Sequence, residues 1–93
     1  MANYVEGYVY DETGMGAIGI PVVLKGTTTG TSTDADGYYK IVPLSTIQMN
    51  TGILVVSYVG YKTVEVSIQN RSYLDIQLEL EDESVDPEPK RSV

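Results

Sequence analysis

Between Tyr4 and Tyr10 the side chains alternate, with Val5, Gly7 and Val9 on one side and Tyr4, Glu6, Tyr8 and Tyr10 on the other. A period of two is the mark of a strand with one buried face. Asp11-Glu12-Thr13-Gly14 follows as a turn, its glycine free to take positive φ. A second strand is predicted from about Ile18 to Lys25, where Ile20, Val22 and Leu24 share a face and Pro21 marks an edge or a strand start. The Thr-rich run from Thr27 to Thr33 reads as a loop entering a short exposed strand. Asp34-Ala35-Asp36-Gly37 predicts a hairpin turn into a strand over Tyr38–Val42, closed by Pro43. Leu44 to Thr51 shows no clear period and reads as a loop or a short helical turn.

The near-continuous apolar run Ile53–Tyr58 predicts a central strand covered on both faces and broken by Gly60. Alternation resumes through Val64, Val66 and Ile68, turns at Gln69-Asn70-Arg71-Ser72, and resumes again from Tyr73 to Leu80. In that last strand Leu74, Ile76, Leu78 and Leu80 oppose Tyr73, Asp75, Gln77 and Glu79. Seven strands roughly ten residues apart, with no helical period, predict an all-β, seven-stranded, two-sheet Greek-key sandwich of the transthyretin or immunoglobulin kind. The sandwich occupies residues 1–80, and residues 81–93 form an acidic tail or linker containing Pro87 and Pro89.

A length of 93 residues holds one such core and not two. All eight aromatic residues are Tyr, so every ring carries a hydroxyl that must reach water or a partner. The absence of Cys excludes disulfides and thiolate chemistry and leaves the redox compartment open. A net charge of -7 with six Lys and Arg opposes binding to nucleic acid and to anionic membranes. No stretch reaches the ~20 apolar residues of a spanning helix. The opening Met1-Ala2-Asn3 carries no basic and apolar leader, so as a native reading frame the chain is expected to lack an ordinary signal peptide.

Candidate chemistry is sparse. Asp34 and Asp36 have the spacing that opens a calcium loop, but no bidentate Glu follows within a dozen positions, so a turn is the better reading and the two Asp are weak metal candidates. With no His, no Cys and no activated Lys or Ser, no nucleophile has a base, and neither an enzyme nor a cofactor is expected. Tyr4, Tyr8 and Tyr10 form a stripe suited to a partner surface or a sugar platform, against the plainer reading that Tyr fits a half-exposed sheet. In the tail, Asp86, Pro87, Pro89 and Arg91 could form an extended arm docking on a neighbour.

Four segments in order carry a family pattern: Gly7-Tyr8-Val9-Tyr10-Asp11-Glu12-Thr13-Gly14, Ile20-Pro21-Val22-Val23-Leu24-Lys25-Gly26-Thr27-Thr28-Thr29-Gly30, Thr33-Asp34-Ala35-Asp36-Gly37-Tyr38-Tyr39 and Leu54-Val55-Val56-Ser57-Tyr58-Val59-Gly60-Tyr61-Lys62. The chain resembles the carboxypeptidase-regulatory-like domains, transthyretin-like β-sandwiches of Bacteroidetes best known at the periplasmic N-terminus of SusC-like TonB-dependent outer-membrane transporters. The resemblance spans about Tyr4 to Leu80. It implies the fold and, for a transporter domain, contact with partners during nutrient import. In the transporters a TonB-binding segment and a plug domain would follow, whereas here Asp82 to Val93 is acidic and Pro-containing. Two expectations result. The first is a stand-alone decoration or accessory subunit of a large assembly, such as a bacteriophage capsid or tail, located in the virion. The alternative is an excised N-terminal domain of a SusC-like transporter in the periplasm. In both the partners are protein subunits, with no nucleic acid, no membrane insertion and no sugar ligand.

Overall fold

The alternating positions become the two faces of two sheets in the computed structural model, which describes residues 2–81. In chain order the elements are β1 (Val5–Tyr10), β2 (Pro21–Leu24), β3 (Gly30–Ser32), β4 (Tyr38–Ile41), helix α1 (Thr46–Thr51), β5 (Ile53–Val56), β6 (Val64–Ser67) and β7 (Ile76–Gln77). One sheet has the order β4-β1-β7 and the other β3-β2-β5-β6. The three-stranded sheet sends Val5, Val9, Tyr39, Ile41, Ile76 and Leu78 inward, and the four-stranded sheet answers with Ile20, Val22, Leu24, Leu54 and Val56. All are at most 3% exposed, so burial of these apolar side chains is the main stabilising term. Leu44 and Met49, on and before α1, close one end of this core.

Pro21 heads β2, where a missing N–H costs the ladder nothing. β5 lies inside its sheet between β2 and β6, as its apolar run predicts. It is not covered on both faces, however: Leu54 and Val56 are buried while Ile53 and Val55 are half-buried. Val55 pairs with Val23 on the outer face, and Lys25 and Glu65 form an ion pair of 3.0 Å nearby.

The hairpin predicted across Asp34–Gly37 is a corner instead. The turn is formed: Asp34 Oδ1 accepts the Asp36 N–H at 2.9 Å and the Tyr38 N–H at 3.0 Å. Its flanking strands do not pair, because β3 bonds to β2 and β4 bonds to β1. Buried Thr33 explains the parting. Its hydroxyl accepts the Ile20 N–H at 2.9 Å and donates to the Ala17 carbonyl, which holds the chain on the four-stranded sheet up to the turn. Gly37, at φ 86, then brings the backbone across to β1, where its carbonyl accepts the Val9 N–H at 2.8 Å. A Cβ there would lie 2.7 Å from the Val9 carbonyl oxygen, so the corner needs glycine.

Leu44–Thr51 resolves in favour of the helical turn. Ser45 Oγ accepts the Gln48 N–H at 3.1 Å and Gln48 Oε1 accepts the Ser45 N–H at 2.8 Å, a reciprocal capping box. The last strand is shorter than its pattern. Leu74 N donates to Glu6 O at 2.8 Å and Leu78 N to Tyr10 O at 2.9 Å, but between them Tyr8 N bonds the Asp75 carboxylate at 2.9 Å in place of a main-chain carbonyl. The ladder proper is reduced to Val9–Ile76 and Tyr10–Gln77, in parallel. Leu80, expected inward, is 50% exposed, and its main chain bridges to Tyr61.

Candidate interaction face

The outer side of the β4-β1-β7 sheet gathers five of the eight tyrosines. β1 supplies Tyr8 and Tyr10 with Tyr4 just before it, β4 supplies Tyr38, and Tyr73 stands beside Glu6 through a parallel bridge. Register makes them neighbours, since Tyr8 lies opposite Tyr38 and Glu6 opposite Lys40. Tyr8 and Tyr38 meet edge to face at 5.6 Å between ring centroids, and Tyr8 and Tyr10 stack at 6.3 Å and 16°. Both are preferred aromatic geometries, so the rings hold one another in place. Lys40 Nζ sits 4.7 Å from the Tyr4 ring centroid, a cation–π contact.

Carboxylates are threaded among the rings. Tyr38 donates to Glu6 Oε1 at 2.6 Å, and this bond, followed by desolvation, raises the Tyr38 phenol to about 12. The Asp75 carboxylate beside Tyr73 raises that phenol to about 12 as well. Tyr61, away from this face, donates to Glu12 and is also raised to about 12. Tyr39 belongs to the core, where burial pushes its phenol up and its hydroxyl donates to Leu74 O at 2.7 Å. Asp11 closes its own turn, its carboxylate held below the usual range chiefly by the Thr13 hydroxyl.

These shifts predict an alkaline instability. A phenol ionises near 10.0 when unfolded and near 12 here, so the folded state binds its proton more tightly. The contribution is complete below pH 10 and is lost as pH rises through 12. In an ultraviolet tyrosinate titration Tyr38, Tyr61 and Tyr73 should ionise near 12 rather than near 10, and Glu6→Gln should bring Tyr38 back toward its ordinary value. Ionisation of Tyr38, Tyr61 and Tyr73 near 10 would contradict the bonded geometry.

Of the residues singled out from sequence, Tyr4, Tyr8 and Tyr10 come together on this face. Asp86, Pro87, Pro89 and Arg91 lie outside the described residues. Asp34 Oδ1 is engaged by two backbone N–H groups, and among the described residues no three His, Cys, Asp or Glu side chains converge. Tyr38, Tyr73 and Asp75 join the face unforeseen. Their outward parity was readable, but the adjacency of β4 and β7 to β1 was not. A cleft of about 270 Å³ between α1 and the adjoining ends of β2 and β5 is lined by Leu24, Ile47 and Ile53 with Lys25, and pairs no acid with a base. No described helix is long and apolar enough to cross a membrane.

By class this is a three-over-four β-sandwich with an aromatic outer face on its smaller sheet. The model of the CarboxypepD_reg-like domain matches residues 5–88, and the chain belongs to that family. Two TonB-dependent receptors of Formosa agariphila are 40% identical over 82 residues and 41% over 78, covering 88% and 84% of this chain. The TonB-dependent receptor SusC of Bacteroides thetaiotaomicron is 48% identical over 64 residues, 69% of this chain. The chain spans 8%, 7% and 6% of those three receptors, less than a tenth of their length. Among solved structures, a chain of a type II cohesin-X-dockerin complex from Acetivibrio cellulolyticus superposes with a TM-score of 0.68 at 22% identity, over 85% of this chain and 58% of that one. At that identity the likeness is one of fold.

Proposed function

We propose that this domain is a non-catalytic protein-interaction module at the periplasmic N-terminus of a TonB-dependent outer-membrane receptor, and that it presents its tyrosine face to a neighbouring protein. The observation that carries the receptor context is the 40–48% identity to three curated TonB-dependent receptors. The stand-alone virion subunit expected from sequence has no counterpart among these relatives and gives way to the alternative. Support for the interaction role comes from the face itself. Tyr is enriched at interface hot spots because it offers contact area at little entropic cost, and here the rings are already ordered by stacking and by the Tyr38–Glu6 bond.

The receptor context is tested in the native organism by protease accessibility. The domain should resist protease in intact cells and be cleaved once the outer membrane is permeabilised. Cleavage in intact cells, or recovery of the domain in purified virions, would contradict it.

A further inference from the structure

The two sheets are unequal, and the mismatch falls at one side of the sandwich. β3 lies next to β4, so that side is matched. On the other side β6 edges the four-stranded sheet and β7 edges the three-stranded sheet. Val64 and Val66 point inward from β6 toward the core yet are only partly buried, whereas Ile68 at the end of the same alternation is 0% exposed. Among the described residues, the three-stranded sheet stops one strand short of these two half-covered valines.

Among the described residues, the outer edge of β7 and of the Tyr73–Asp75 segment before it is unpaired. Leu74 and Leu78 direct their N–H groups to β1, so alternation turns the main chain of Asp75 and Gln77 outward. Beyond them the chain already pairs with this edge: Lys62 N donates to Glu79 O at 2.9 Å and Glu81 N to Gly60 O at 3.0 Å. That pairing ends where β6 leaves for the other sheet, and among the described residues no strand lies on the side of Tyr73–Gln77 away from β1. An exposed run of main-chain donors and acceptors is a template for another strand.

Charge selects the occupant. Glu79 and Glu81 are exposed along this edge, with Lys62 facing Glu79 at 3.6 Å, and the Asp75 carboxylate is exposed on the sheet face beside it. Pairing with a second copy through the same edge would set these carboxylates against their equivalents. The chain's own continuation, Asp82-Glu83-Ser84-Val85-Asp86-Pro87-Glu88-Pro89, repeats the charge and contains two prolines without an N–H. A strand bearing Lys or Arg on its outer side and small apolar residues on its inner side meets both requirements.

We propose that the β7 edge from Tyr73 to Gln77 accepts an extended basic segment of a partner protein as a fourth strand, whose inward side chains cover Val64 and Val66. This edge borders the tyrosine face and shares Tyr73 and Asp75 with it, but it offers their main chain where that face offers their side chains, and the inference does not depend on the receptor context.

The test uses the whole 93-residue chain, labelled with nitrogen-15, and a capped peptide Lys-Val-Lys-Val-Lys-Val-Lys as probe. A second peptide with the central Val replaced by Pro keeps the charge but loses the central N–H. The expected result is saturable amide shifts at Val64, Val66, Asp75 and Gln77, and exchange of the Asp75 and Gln77 amides slowed about tenfold, with the Pro peptide inert. Equal shifts with both peptides, shifts centred on Tyr8 and Tyr38, or no shift at about 1 mM peptide would overturn the proposal. So would peptide-free shifts at Asp75 and Gln77 that grow with protein concentration, which would assign the edge to a second copy.

Discussion

Gly7→Ala is expected to cost at least about 3 kcal/mol of stability and to lower Tm by roughly 12–24 °C. Gly7 faces inward on β1 where β7 crosses closest, and a Cβ there would lie 1.9 Å from the Leu74 carbonyl oxygen and 2.6 Å from its carbon. Those atoms are backbone, so relief requires β1 and the Leu74–Asp75 segment to move apart. Such a movement strains the Leu74–Glu6 bond at 2.8 Å and the Tyr8–Asp75 bond at 2.9 Å, which join the two elements. Gly14→Ala is the control. Gly14 has φ 86 with nothing within 4 Å of a built Cβ, so it should lose only the ~1–2 kcal/mol of a left-handed L-residue. Equal losses at the two positions in thermal unfolding would show that the close approach of β7 to β1 is not what Gly7 serves.

Leu54→Ala is expected to cost about 2–5 kcal/mol, through lost transfer free energy and the cavity left behind. Leu54 is 0% exposed, lies on the interior strand β5, and pairs with Leu24 on one side and Val66 on the other. Val55→Ala, one residue along and on the outer face, removes only half-buried surface and should cost less than about 1 kcal/mol. Urea titration should show the Leu54 midpoint falling with an unchanged slope, the sign of altered stability rather than of an altered denatured state. A Val55 effect as large as that of Leu54 would mean that the outer face of the four-stranded sheet is part of the core.

The contrast between these neighbours shows what a sequence can convey. Period-two alternation assigned Val5, Val9, Val22, Leu24, Leu74, Ile76 and Leu78 to the interior, and each is buried. The signal is strong because a one-residue slip would bury Glu6 and Asp75 in place of valine and leucine. Pairing partners are not written in that alternation. Asp34-Ala35-Asp36-Gly37 fits a hairpin and a corner equally well, and the choice fell to Thr33, whose buried hydroxyl engages Ala17 and Ile20 far away in sequence. The capping pair Ser45 and Gln48 was a local signal for α1, masked by the lack of an apolar period in so short a helix. For the interaction face, the β1 stripe of Tyr4, Tyr8 and Tyr10 was legible. The contributions of Tyr38, Tyr73 and Asp75 required knowing that β4 and β7 flank β1, a long-range fact that no local pattern encodes.

The same geometry separates two surfaces that composition alone would merge. On the tyrosine face rings are ordered by one another and by carboxylates, while at the β7 edge main-chain groups lie open beside half-covered valines. The first suits side-chain recognition and the second suits strand addition.

Site-specific photocrosslinking in living cells tests the central claim most directly. A photoreactive residue is placed singly at Tyr8, Tyr10 or Tyr38, and for comparison at Val23 on the outer face of the other sheet, in the protein as the native organism expresses it. The account predicts a discrete adduct with another protein from the three tyrosine positions and none from Val23. Adducts from Val23 alone, or from no position while the domain is folded and in place, would contradict it.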